Sequence, residues 1–316
     1  MNDSNEQFRR AIEIAGFVPP EMIRPGVMER FSTNGRRGDT SGWCKIFPEG
    51  GGGVFGDFRS GLSSTWFAEP TRPFSIAERQ NQDAALRQAR VEAAELQARQ
   101  WVLATARNAT LWSEAEGVKE NDPVMRYLAT RGIELKSRPQ ALRCHPGLAY
   151  WHQGQYVGRF PAMLGAVTDV AGQLVSIHRT YLSEDGQKAD VEIVKKLTSS
   201  SARLAGCSVK LGLSDLCRGV KRLAVAEGIE TALACMTTGI PTVSAISAQG
   251  LSAFHWPDDV MNLIIFADND VSQVGQRAAA ALQRRAKQRG LATQVFTPPI
   301  AGMDWADVLA ARSEGF

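Results

Sequence analysis

Two short stretches carry the residues best placed to do chemistry. They are Leu223-Ala224-Val225-Ala226-Glu227-Gly228 and Leu263-Ile264-Ile265-Phe266-Ala267-Asp268-Asn269-Asp270. In each, an apolar run ends abruptly in acid. Such runs suit strands buried on both faces of a parallel sheet. They would deliver Glu227, Asp268 and Asp270 to the carboxyl ends of their strands, where open α/β sheets bind ligands. Along an extended segment residues i and i+2 share a side, so Asp268 and Asp270 can face one ion. Carboxylates held together repel and raise one another's pKa unless a cation sits among them. A hard divalent ion with oxygen ligands, Mg2+ (or Mn2+), relieves that cost. The chemistry this pattern points to is metal-assisted work on phosphates. The plainer alternatives are a solvated strand-end acid or helix cap for Glu227 and a solvated turn for the Asp-x-Asp pair, with Asn269 shaping the turn.

The elements that must position these acids alternate cleanly from residue 220 to 316. Strand 223–226 leads to helix 229–238, closed by Gly239, then strand 242–246 and a loop with Gln249-Gly250. Strand 262–267, helix 275–289 ending at Gly290, strand 293–297 and helix 305–312 follow. Short loops between strands and helices predict a mainly parallel sheet covered on both faces. Asp304 opens the last helix as a plain N-cap or as a metal ligand, and Asp307 lies in its first turn, where an acid is favourable in any case.

Upstream, residues 1–70 hold short aromatic-rich strands separated by glycine turns, which predict a small antiparallel β unit. Its thin core draws on Trp43, Phe47, Phe55, Phe58 and Trp66. Pro70 and Pro73 punctuate the chain, and residues 71–118 form a helical connector. Within it Ser75 with Glu78 fits a capping box, and sparse large apolar residues predict a largely exposed helix. Residues 119–219 contain a short helix at 124–130 and strands at 162–167, 174–182 and 191–194, an α+β unit rich in basic residues.

Bulk properties narrow the classes. The 316 residues carry a net charge of +3, so affinity for nucleic acid must come from a local patch. The five cysteines contain no C-x-x-C pair, which fits a reducing compartment and argues against a zinc ribbon. No apolar run approaches the about 18 residues that span a bilayer. A soluble, cytoplasmic protein without a membrane partner is expected.

Glu227-Gly228 at one strand end and Asp268-x-Asp270 at another about 40 residues later resemble the Toprim domain of bacterial-type primases, topoisomerases and some nucleases. Val225-Ala226-Glu227-Gly228-Ile229-Glu230-Thr231-Ala232-Leu233 is similar to the form in primases of phages, plasmids and other mobile elements. Met303-Asp304-Trp305-Ala306-Asp307-Val308-Leu309 looks like their acidic segment after the Asp-x-Asp strand. The resemblance implies a Rossmann-like sheet, with Asp268 and Asp270 as principal Mg2+ ligands. Glu227 would bind a second ion or assist proton transfer, and Asp304 and Asp307 would be further ligands.

The middle segment resembles the basic subdomain that precedes Toprim in such primases. Arg179 is its first candidate for holding nucleotide and template, because a guanidinium matches phosphate bidentately, with Lys195, Lys196 and Lys210 next. For any single lysine an ordinary solvated side chain is the slightly favoured reading. The N-terminal unit resembles a zinc-ribbon region that lacks its ligands, so no structural zinc is expected. There Arg36, Arg37 and Arg59 are the candidates for DNA contact.

The activity implied is DNA-primase nucleotidyl transfer, with short RNA primers made on single-stranded DNA from ribonucleoside triphosphates. No G-x-x-x-x-G-K-[ST] loop is present, so a replicative helicase acting in trans is the expected partner. The alternatives are a Toprim nuclease or RNA-processing hydrolase, and a non-catalytic DNA-binding accessory module.

Overall fold

The computed structural model describes residues 2–68, 75–212, 215–217 and 219–308. The expected Pro70 and Pro73 break and the last part of helix 305–312, with Leu309, lie outside the described residues. The chain divides into two compact units. One is Met1–Trp101 with Trp151–Tyr156, the other Val102–Tyr150 with Val157–Phe316.

The first unit begins with α1 (Asn2–Ile14), a helix that sequence inspection missed. It continues into β1 (Glu29–Phe31), β2 (Gly42–Ile46), β3 (Gly52–Asp57) and β4 (Leu62–Phe67), an antiparallel sheet in the order β1-β2-β3-β4. The aromatic core divides between the sheet's two faces. Phe8 and Ile12, one helical turn apart on α1, pack with Phe31, Cys44, Ile46 and Phe55. On the other face Trp43, Phe47 and Val54 meet Ala89 and Ala93 of α2 (Ile76–Glu114). The helix expected as an exposed connector therefore buries two alanines against the sheet. Their small side chains let the backbones approach, and a search for large apolar residues overlooks them. The capping box is present: Ser75 N–H donates to Glu78 Oε2 at 2.7 Å, and Glu78 N–H donates to Ser75 Oγ at 3.2 Å.

The second unit takes up the end of α2, where the buried Asn108 donates to the carbonyls of Val175 and Ser199 at 3.2 and 3.0 Å. Then come β5 (Glu116–Gly117), α3 (Pro123–Thr130), β6 (Leu142–His152), β7 (Gln155–Thr168), β8 (Leu174–Tyr181), β9 (Lys195–Leu197), β10 (Ser208–Val209) and β11 (Asp215–Cys217). The chain closes with β12 (Val220–Ala226), α4 (Ile229–Met236), β13 (Thr242–Ser244), α5 (Ala248–Ala253), β14 (Asn262–Phe266), α6 (Val274–Gln288) and β15 (Ala292–Phe296). The strand expected at 191–194 falls instead at β9. The segment before it is held off the ladder, with Ile193 N–H donating to the Tyr150 hydroxyl at 3.0 Å.

β15, β14, β12 and β13 are parallel neighbours in that order. Their alternating side chains build two layers. Leu223, Val225, Leu263, Ile265 and Ala267 face Leu251 of α5 and Ala278, Ala279 and Leu282 of α6. Ala224, Ala226, Ile264 and Phe266 face Ala232 and Leu233 of α4. This is the α/β sheet with helices on both faces that the sequence predicts. It does not stop where the basic subdomain begins. β10 pairs antiparallel with β13 on one side and β7 on the other, so a single sheet of 11 strands runs through both segments.

Candidate acidic site

Register brings the acids together. β12 lies parallel to β14 with Ala226 opposite Phe266, so the two strands end level. Glu227 leaves one strand, and Ala267 and Asp268 leave its neighbour, at the same rim. Alternation then separates their environments. Glu227 continues the side of Leu223 and Val225, toward α5 and α6, and its carboxylate accepts the Ala248 N–H. Asp268 continues the side of Ile264 and Phe266, toward α4, and accepts from Thr231 Oγ1 at 3.3 Å. Asp270 sits at the start of α6, where its carboxylate accepts the N–H groups of Val274 (3.1 Å) and Gly275 (2.9 Å) and the Ser272 hydroxyl.

Gly275 explains how two acids share this corner. A Cβ there would lie 3.1 Å from Asp270 Oδ2 and 3.2 Å from Glu227 Oε2, so a side chain would crowd both carboxylates. Asn269 secures the loop from behind, its Nδ2 donating to the Pro298 carbonyl at 2.8 Å and its N–H to Met303 O at 3.2 Å. Ser244 on the next strand donates its hydroxyl to the Glu227 carbonyl at 3.1 Å.

The charges are coupled. Burial, then the fields of Glu227 and Asp304, push Asp268 up to about 7. Burial and then Asp270 raise Glu227. Asp270 moves the other way, because the Ser272 hydroxyl and the α6 N–H groups favour its charged form. Among the described residues no group of three carboxylate, imidazole or thiol side chains is gathered as a metal cluster. The donor set nevertheless fits a hard divalent cation. It is all oxygen, and Asp268 and Glu227 carry the mutual repulsion that such an ion relieves.

Asp304 and Asp307, the further ligands that the sequence resemblance implies, already have partners here. They cap one another, Asp307 N–H donating to Asp304 Oδ1 at 2.8 Å and Asp304 N–H to Asp307 Oδ2 at 3.0 Å. Arg131, at the C-terminal cap of α3, places its Nη2 3.0 Å from Asp304 Oδ2 and 3.1 Å from Asp307 Oδ1. A guanidinium thus already meets both charges.

The basic candidates separate by register. Thr180 pairs with Lys195 and Arg179 with Lys196 across β8 and β9, so Arg179 and Lys196 share one face and Lys195 lies on the other. Lys195 turns toward α4, with its Nζ 2.8 Å from Glu230 Oε1, and its field reaches Asp268. Arg179 and Lys196 turn away. Arg179 donates to the Leu197 carbonyl at 2.8 Å and lies over the Tyr181 ring, and the Lys196 ammonium sits 3.9 Å from the Tyr150 ring centroid. Lys210 donates to the Val170 carbonyl at 3.4 Å, beside the turn that follows β7. Arg36, Arg37 and Arg59 belong to the first unit, where Arg59 pairs with Asp39 at 2.7 Å and the Arg36 N–H bonds Asn34 Oδ1.

Tyr127, Arg131, Glu230 and Gly275 escaped the sequence reading. Tyr127 and Arg131 are four residues apart and so share one face of the α3 end. Glu230 lies within the quoted Glu-Gly-Ile-Glu run, but nothing local tells that it is buried.

Residues 222–315 match the Toprim domain family, and residues 104–209 match a domain family of unknown function, DUF7146. No curated protein matches the sequence. Among solved structures, the primase fragment of the bacteriophage T7 primase-helicase protein is similar at 18% identity with a TM-score of 0.35, over 54% of this chain and 63% of that one. The chain thus spans less than two thirds of that fragment.

Proposed function

We propose that this chain, whose residues 222–315 form a Toprim domain, is a primase that makes short RNA primers on single-stranded DNA. The observation that carries the proposal is the level ending of β12 and β14. It sets Glu227, Asp268 and Asp270 at one rim with coupled charges, with Lys195 turned toward them.

The reaction is attack of a 3′-hydroxyl on the α-phosphate of a ribonucleoside triphosphate. Mg2+ (or Mn2+) held by Asp268, Asp270 and Glu227 would supply positive charge for the phosphoryl oxygens and the departing pyrophosphate. The protein's own groups do the rest. Asp270 stays ionised because the N–H groups at the start of α6 hold it so. Glu227 has a carboxyl that binds a proton more readily than a free one, which suits it to receive the hydroxyl proton. The ammonium of Lys195 offers a counter-charge for the triphosphate. Asp304 and Asp307, which Arg131 bridges, would be further ligands to such an ion. Template contact through Arg36, Arg37 and Arg59, and a helicase acting in trans, belong to the same proposal.

The test is incubation of the purified protein with single-stranded DNA, labelled ribonucleotides and Mg2+. Short labelled oligomers are expected, and they should disappear in Asp268→Asn. Divalent-dependent cleavage of the DNA without incorporation would replace the primase by a nuclease. DNA binding without either reaction would leave an accessory module.

A further inference from the structure

The Toprim domain contains a second, fully buried carboxylate that the reaction above does not use. Glu230 lies three residues after Glu227, in the first turn of α4, and is 3% exposed. An isolated charge so placed costs several kcal/mol, and an apolar residue would serve stability as well or better. Glu230 is instead fully partnered. The Tyr127 hydroxyl donates to Oε1 at 2.9 Å from α3, and the Lys195 ammonium lies 2.8 Å from the same oxygen from β9. Burial, the largest single influence, would raise its pKa, but the charge and hydrogen bond of Lys195, with smaller help from its own backbone N–H and from His178, together hold it at about 2, so the carboxylate is charged. His178 is not the main counter-ion, since burial lowers it to about 4.

Lys195 faces two ways. Its Nζ touches buried Glu230, yet its side chain is 43% exposed and its field reaches Asp268. A lysine free to move beside Asp268 would pair with it and occupy a carboxylate needed for a cation. The tie to Glu230 holds the ammonium near the rim but off Asp268, and an ammonium has three donors, so others remain for a ligand.

We propose that Glu230, braced by Tyr127, is a positioning residue that fixes the Lys195 ammonium to receive the triphosphate of an incoming nucleotide. The inference rests on the assignment of this rim to nucleotide chemistry. It adds the buried pair, Glu230 and Tyr127, that sets the Lys195 ammonium in place.

The test compares Lys195→Ala, Glu230→Gln, their double variant and Tyr127→Phe in the full chain. Two readouts are needed: binding of a fluorescent ribonucleoside triphosphate with Mg2+, and steady-state primer synthesis. Glu230→Gln and Lys195→Ala should each weaken nucleotide binding and raise KM about tenfold, with kcat nearly unchanged, the mark of a ground-state contact. The double variant should be no worse than Lys195→Ala alone, because Glu230 acts through Lys195. Tyr127→Phe should move the same parameters in the same direction by about threefold. It also keeps the inference testable should Glu230→Gln fail to fold.

Unchanged nucleotide affinity in Glu230→Gln, multiplying effects in the double variant, or a wild type that binds no triphosphate would overturn the inference. Should Glu230→Gln not fold, unchanged affinity in Tyr127→Phe would do the same. A wild type that binds nucleotide with this variant pattern but makes no primers would sink the primase and leave the inference standing.

Discussion

At the scale of single residues, the site is organised by unequal carboxylates. Asp268 is raised to about 7, from 3.8 for a free aspartate. The folded protein therefore keeps a proton that the unfolded chain releases as pH rises above about 4. Stability of the metal-free protein should fall as pH rises through that window and level off above about 7. Asp268→Asn removes the penalty. In chelator at pH 8 the variant should be more stable than wild type in urea unfolding, by up to about 4 kcal/mol, and the gap should close near pH 4. Equal stability at pH 8 would show that Asp268 carries no such strain. The acids of this site were legible because an apolar run stopping at Glu or Asp is a local pattern. Glu230 was not, because its meaning depends on Tyr127 and Lys195, 103 and 35 residues away in sequence.

At the scale of elements, the last helical turn is tied to α3 by charge. Arg131 meets Asp304 and Asp307, and all three side chains are partly buried. A half-buried pair of this kind contributes about 1–2 kcal/mol, more than an open surface bridge. Arg131→Ala should therefore destabilise the protein by that amount. It should also speed amide hydrogen exchange at residues 304–308 more than in α4 or α6. Uniform exchange across the domain would mean that the bridge does not hold this turn. The capping role of Asp304 was readable from its position before a helix. Its bridge was not, since Arg131 reads locally as a cation just ahead of Gly132. The strands of residues 220–296 and helices α4 and α6 were largely readable, because strands buried on both faces and helices ending at Gly239 and Gly290 have strong local patterns, whereas α5 was read as a loop. α1 and the packing face of α2 were missed because short amphipathic stripes and alanines give weak ones.

At the scale of the whole molecule, the strands of residues 142–209 and those of residues 220–296 share one sheet. β10 is the seam, with Val209 paired to Ser244 on one side and Val167 on the other. The apolar cluster under α4 likewise draws on Tyr127, Met163, Val167 and Val209 from the earlier segment. A boundary at residue 219 is visible in composition, but pairing across it is set by contacts between distant strands, which a linear pattern does not encode. Lys195 reaches the acidic rim because both segments form one body. The primase proposal requires that Glu227, Asp268 and Asp270 bind a divalent cation at this rim. Electron paramagnetic resonance of Mn2+ added to the full chain measures that site without any reaction. Glu227→Gln, Asp268→Asn and Asp270→Asn should each weaken Mn2+ binding at least about tenfold, a cost of about 1.4 kcal/mol or more. Undiminished Mn2+ affinity in all three variants would contradict it.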